Sequence, residues 1–133
     1  MNLCARATAA RVGAIAAIML VGCAQQPAAP PALVEMLAMP AEKALLAGLR
    51  AYEDAQYAEA QQQFNQALGL HLASPKDRAA AHKHLAFIYC TSNRKSECEA
   101  QFRAARVADP SFTLSKSEAG HPSWGEVYKR LRP

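Results

Sequence analysis

A chain of 133 residues with a formal net charge of +4 has room for one modest domain and little more. Its 15 basic and 11 acidic residues are spread along the sequence, so a pI near 9 is a weak argument for nucleic-acid binding. The one basic cluster, Lys129-Arg130-Leu131-Arg132, reads as a solvated helix end rather than a phosphate site.

The first element is an apolar run over residues 12–22, preceded by Arg6 and Arg11. A membrane-spanning helix needs about 20 apolar residues, and this run stops at Gln25, Gln26 and Pro27. A basic start, a short apolar stretch and small residues at the end describe a secretory signal peptide. The run closes on Leu20-Val21-Gly22-Cys23, which resembles the lipobox of bacterial lipoproteins. The alternative is an uncleaved anchor with a cysteine placed there by chance. The resemblance implies diacylglycerol on the Cys23 sulfur and cleavage just before it. Each buried methylene contributes about 0.8 kcal/mol, so two or three acyl chains would hold the protein on a membrane without a spanning helix. By the same resemblance, Ala24 in place of Asp favours the outer membrane. Loss of residues 1–22 removes Arg6 and Arg11 and leaves 111 residues at about +2.

Residues 23–39 form the lipid-bearing cysteine and an Ala/Pro-rich tether, which cannot bury a core. Within it, 33–39 could make a helical turn or two. The folded domain is expected over 40–133, opening on Pro40 at a first helical position.

Two stretches of that domain, 48–70 and 86–108, align when shifted by 38 residues. Gly48 corresponds to Ala86, Ala60 to Cys98, Phe64 to Phe102 and Ala67 to Ala105. The pattern resembles the tetratricopeptide repeat, a 34-residue helix–turn–helix unit. The second copy fits better, ending on Pro110, whereas the first has Leu72 where proline is usual. Ser74 as N-cap with Pro75 behind it restarts a helix between the copies. Four amphipathic helices follow from the spacing, with stripes Leu45/Leu49/Tyr52, Tyr57/Ala60/Phe64/Ala67/Leu68, Ala81/Leu85/Ile88/Tyr89 and Cys98/Phe102/Ala105. Small residues, Gly48 opposite Ala60 and Ala86 opposite Cys98, let paired helices approach. No run alternates with period two, so the expected fold is all-α. An unrelated antiparallel bundle is the competing architecture.

Cys90 and Cys98 flank the turn between the third and fourth helices. In an oxidising compartment a bridge between them is plausible, although sequence does not fix the Cα separation a bond requires. Two buried free thiols and a redox-active dithiol are the alternatives. The latter lacks both a Cys-x-x-Cys spacing and a thioredoxin-like pattern.

Past Asp109-Pro110, Ser115-x-x-Glu118 and Ser123-x-x-Glu126 both have capping-box spacing. Trp124, Val127, Tyr128 and Leu131 then make one face of a short final helix that caps the array. Trp124 is expected to serve in that cap, or as a partner-binding anchor if its indole stays exposed. The run from Phe102 through Asp109-Pro110-x-Phe112-x-Leu114 to Glu118-Ala119-Gly120-His121-Pro122-x-Trp124-Gly125 resembles the TssQ-type lipoproteins associated with type VI secretion systems. The two cysteines are similarly placed there. The resemblance implies an accessory role beside an envelope-spanning secretion machine and supplies no catalytic residue.

Nothing in the residues argues for an enzyme. His82 and His84, two apart on a helix, point to different faces and cannot chelate one metal. His71 sits at a helix end, where a cation suits the dipole, and His121 precedes Pro122 in a turn. The sequence carries no phosphate loop or zinc spacing, and Asp and Glu fall on solvent faces. No cofactor, metal, small-molecule substrate or nucleic acid is expected. The expected partners are a membrane, through Cys23, and an envelope protein. The latter would be gripped by the first helix of each pair at Arg50, Glu53, His82 and Lys83.

Overall fold

The computed structural model describes residues 39–131. The signal-peptide, Cys23 and tether expectations, and the side chain of Arg132, lie outside the described residues. The described residues are all-helical: α1 (Pro40–Glu53), α2 (Tyr57–Gly69), α3 (Pro75–Thr91), α4 (Lys95–Ala108), α5 (Lys116–Ala119) and α6 (Gly125–Arg130). Within this segment no helix is long and apolar enough to cross a membrane.

Local chemistry sets the boundaries. Pro40 and Pro75 open α1 and α3, where their missing N–H groups cost nothing. Ser74 Oγ accepts the Asp77 N–H at 3.2 Å, as its N-cap position demands. Pro110 prevents α4 from continuing beyond Ala108. Ser115 and Glu118 form a reciprocal capping box on α5. The second expected box does not form. Trp124, not Ser123, is the N-cap of α6, and the Ser123 N–H instead donates to His121 Nδ1.

α1 packs on α2 and α3 on α4, while α2 against α3 joins the pairs. The 38-residue shift survives as backbone geometry. After α1, Asp54, Ala55 and Gln56 donate to the carbonyls of Arg50, Tyr52 and Ala51. After α3, Ser92, Asn93 and Arg94 donate to those of Ile88, Cys90 and Tyr89. Each of these six residues has its counterpart 38 positions away. Ala55 and Asn93, the matching central residues, both have left-handed backbones, at φ 58° and 59°.

One core runs through both pairs. Phe64, Ala60, Ala67, Leu85, Ala86, Cys98, Phe102 and Tyr128 are essentially inaccessible to solvent. Gly48 faces the Phe64 ring rather than serving chiefly to admit Ala60. Leu72, which follows α2, is itself buried core. Tyr57 departs from its expected stripe and is 47% exposed. Phe102 is covered by Tyr128 of α6, with ring centroids 5.3 Å apart, and the Tyr128 hydroxyl accepts the Leu114 N–H at 3.0 Å. The C-terminal segment thus closes the end of the second pair.

Candidate functional site

The side chains best placed for recognition lie where α1, α3 and the C-terminal segment meet. They begin with helix spacing. Tyr52 is on the last turn of α1, and Lys83, His84 and Phe87 follow one another up α3. Folding adds Glu118 from α5 and Trp124 from the start of α6.

These residues form a chain of rings. Tyr57 stands edge-on to Tyr52 at 5.5 Å between centroids, and Tyr52 edge-on to His84 at 5.1 Å. His84 stacks on Phe64 at 5.2 Å and meets Phe87 edge-on at 5.9 Å. Phe87 stacks on Trp124 at 4.0 Å, and Trp124 on His121 at 3.5 Å. Such geometries contribute about 0.5–1.5 kcal/mol per aromatic pair beyond burial.

Lys83 and Glu118 fasten the C-terminal segment to α3. Their Nζ–Oε1 distance is 2.8 Å, and Lys83 lies 5.7 Å above the Phe87 ring. Burial pushes the Glu118 carboxyl up, but its hydrogen bonds from Lys83 and Ser115 together outweigh that and hold its pKa below the ordinary value. The Trp124 indole N–H donates to the Glu118 carbonyl at 2.8 Å.

His84 is the chemically distinctive member. Its Nδ1 lies 2.8 Å from the Ala80 carbonyl oxygen, which can only accept, so Nδ1 carries the proton. Burial lowers the pKa of the ring. Lys83 reinforces that effect, while the Ala80 hydrogen bond and the Glu118 and Glu53 carboxylates oppose it. Burial also raises the neighbouring Tyr52 phenol, with Tyr57 and Glu118 adding to it.

The expected face is only partly assembled. Lys83 belongs to it, but in an ion pair, and Glu53 is close enough to act on His84. Arg50 is exposed on α1. His82 turns away toward α4, where its Nδ1 is 2.6 Å from Gln101 Oε1. His82 and His84 therefore lie on different faces, as their spacing requires. Trp124 is 7% exposed, so the condition for an exposed anchor is not met, and the indole serves in the cap. Sequence reasoning placed Glu118 in a capping box, which forms, but missed its ion pair with Lys83, and it missed His84 and Tyr52 as neighbours. Their positions on α1 and α3 gave only helix faces.

Cys90 and Cys98 are bonded, with Cα atoms 5.2 Å apart. Beside the ring chain a cleft of about 300 Å³ opens between α3 and 109–113, lined by Lys76, Ala80, Lys83, Asp109, Phe112 and Thr113. Among the described residues no group of three or more His, Cys, Asp or Glu side chains could hold a metal ion. No protein-family model, no curated protein and no solved structure matches this chain.

Proposed function

We propose that the protein is a lipid-anchored adaptor, held by Cys23 at the outer membrane with its helices facing the periplasm, and that it grips another envelope protein through the α1–α3 face. The two helix pairs are read as degenerate tetratricopeptide-like units, and the machine served is a type VI secretion system. The lipobox-like Leu20-Val21-Gly22-Cys23 and the C-terminal signature support the anchor and the machine. One structural observation carries the adaptor reading: an aromatic and histidine strip runs from Tyr57 to His121 across separate helices. Its half-buried polar members, Tyr52, His84 and Lys83, suit recognition better than a plain apolar core does.

The test uses the full chain in a cell. Feeding an alkyne-tagged palmitate should label the protein, and Cys23→Ser should abolish the label. A photo-crosslinking residue at Tyr57 or Arg50 should then trap a component of the secretion apparatus, while one at exposed Glu59 on α2 should not. Absence of label overturns the anchor. Trapping from Glu59 equal to that from Tyr57 and Arg50 overturns the α1–α3 face. A trapped protein from another envelope assembly would move the adaptor to that task, such as service as a pilotin or in outer-membrane assembly.

A further inference from the structure

The His84 ring leaves one polar atom unexplained. With the proton on Nδ1 and directed at Ala80, the neutral ring holds a lone pair on Nε2. No hydrogen bond to Nε2 occurs among the described residues, and none of their buried side-chain nitrogens or oxygens lacks a partner. Nε2 is therefore not wholly enclosed, although the ring sits among Tyr52, Phe64 and Phe87. The Tyr52 hydroxyl, also without a hydrogen bond among the described residues, is accessible by the same reasoning. The face thus offers an acceptor with no protein partner, on a ring that Tyr52 meets edge-on.

We propose that His84 Nε2, on the ring that Tyr52 meets edge-on, is the hydrogen-bond acceptor of the α1–α3 face and takes an uncharged N–H donor, a backbone or side-chain amide, from a partner peptide. The inference rests on the adaptor reading and names the chemistry of its contact. A carboxylate has no proton to give there at neutral pH. A cationic donor would bear the desolvation cost that already disfavours charge on the ring, with the Lys83 ammonium alongside. An amide avoids both costs and leaves its flanking apolar atoms to lie on Tyr52 and the exposed Tyr57.

Protonation of His84 converts Nε2 from acceptor to donor, so recognition fails in acid. The charged and titratable groups acting on the ring are Tyr52 and Glu53 from α1, Lys83 on α3 itself and Glu118 from α5. Phe64, which α2 presents to it, does not titrate.

The test uses a phage-displayed library of linear peptides, selected on the oxidised protein at about pH 7.5 and eluted at about pH 5. Selected peptides should shift the imidazole ¹⁵N resonance of His84 Nε2 and bind more weakly at the lower pH. They should also bind at least tenfold more weakly to His84→Phe, which keeps the ring packing. Tyr52→Phe, which removes only the hydroxyl, should weaken binding less, and circular dichroism of both variants checks that any loss does not come from unfolding. Peptides that perturb Tyr57 and Glu53, yet bind His84→Phe undiminished and without pH dependence, overturn this inference and leave the adaptor reading standing. Recovery only of peptides that perturb other surfaces, or of none, overturns both.

Discussion

Gly48 lies directly against the Phe64 ring: a Cβ built on the glycine would stand 2.8 Å from two of its carbons. This contact between α1 and α2 is made by an atom that is missing. Phe64 is fully buried, so its ring can withdraw only by displacing its neighbours in the packed core. Gly48→Ala should therefore cost about 1–3 kcal/mol despite alanine's better helix propensity. Urea denaturation monitored by circular dichroism checks it. A gain in stability would mean that the helices can separate freely.

The disulfide should matter as a staple. It closes a loop with a sequence separation of 8 between α3 and α4. On the chain-entropy model a loop of that length stabilises by about 2.5 kcal/mol. The Cys90→Ala/Cys98→Ala double variant should lose about that amount in urea, and reductant should reproduce the loss in the parent protein. An unchanged midpoint would assign the stability to packing alone. The first pair lacks such a bond. At the positions 38 residues earlier stand Tyr52 and Ala60, and Tyr52 serves the ring chain instead.

Ala55 is in the left-handed region, φ 58°, where an L-residue with a Cβ is disfavoured by about 1–2 kcal/mol. Its counterpart Asn93 tolerates that conformation better. Ala55→Gly should raise stability by up to about 1 kcal/mol, the relief of strain exceeding the extra freedom of the unfolded glycine. Thermal melting of the two proteins, side by side, decides it.

Acid should weaken the fold through His84. Its folded pKa lies below the ordinary 6.5 because burial disfavours the charged ring. The unfolded chain therefore binds the proton more readily than the folded one. The stabilisation from this group is complete above about pH 6.5 and declines as pH falls through that value toward the folded pKa. His84→Phe should flatten this part of the stability curve measured between neutral and mildly acidic pH. Glu118, with its depressed pKa, adds a second loss only at lower pH, as the carboxyl protonates.

Lys83 and Glu118 should fix the environment of Trp124, the sole tryptophan. Glu118→Gln keeps the carbonyl that receives the indole N–H but removes the charge. A partly exposed pair of this kind contributes about 1 kcal/mol or less. The expected result is a small stability loss that grows less visible in high salt, with a red-shifted indole emission if the C-terminal segment loosens. An unaltered spectrum at every salt concentration would show that stacking on Phe87 holds the segment by itself.

What the residue pattern alone determined is the helical class and much of its punctuation. Pro40, Ser74-Pro75 and Pro110 act within a few residues of themselves, so their effects were legible without neighbours. The 38-residue correspondence was legible too, because equal spacing forces equal turns. Tertiary packing decided the rest. Helix periodicity gives a stripe but not its width, which is why Tyr57 could be placed on the buried side and yet be exposed. Capping-box spacing allows a cap but cannot require one, and at Ser123 the stack of His121 on Trp124 took over the turn. The candidate face is the least local feature. Tyr52, His84 and Glu118 are separated by long stretches of chain: Tyr52 reaches His84 when α1 lies beside α3, and Glu118 arrives when α5 is drawn onto α3. A histidine's bare nitrogen is a property of what surrounds it, and nothing in the order of the residues specifies those surroundings.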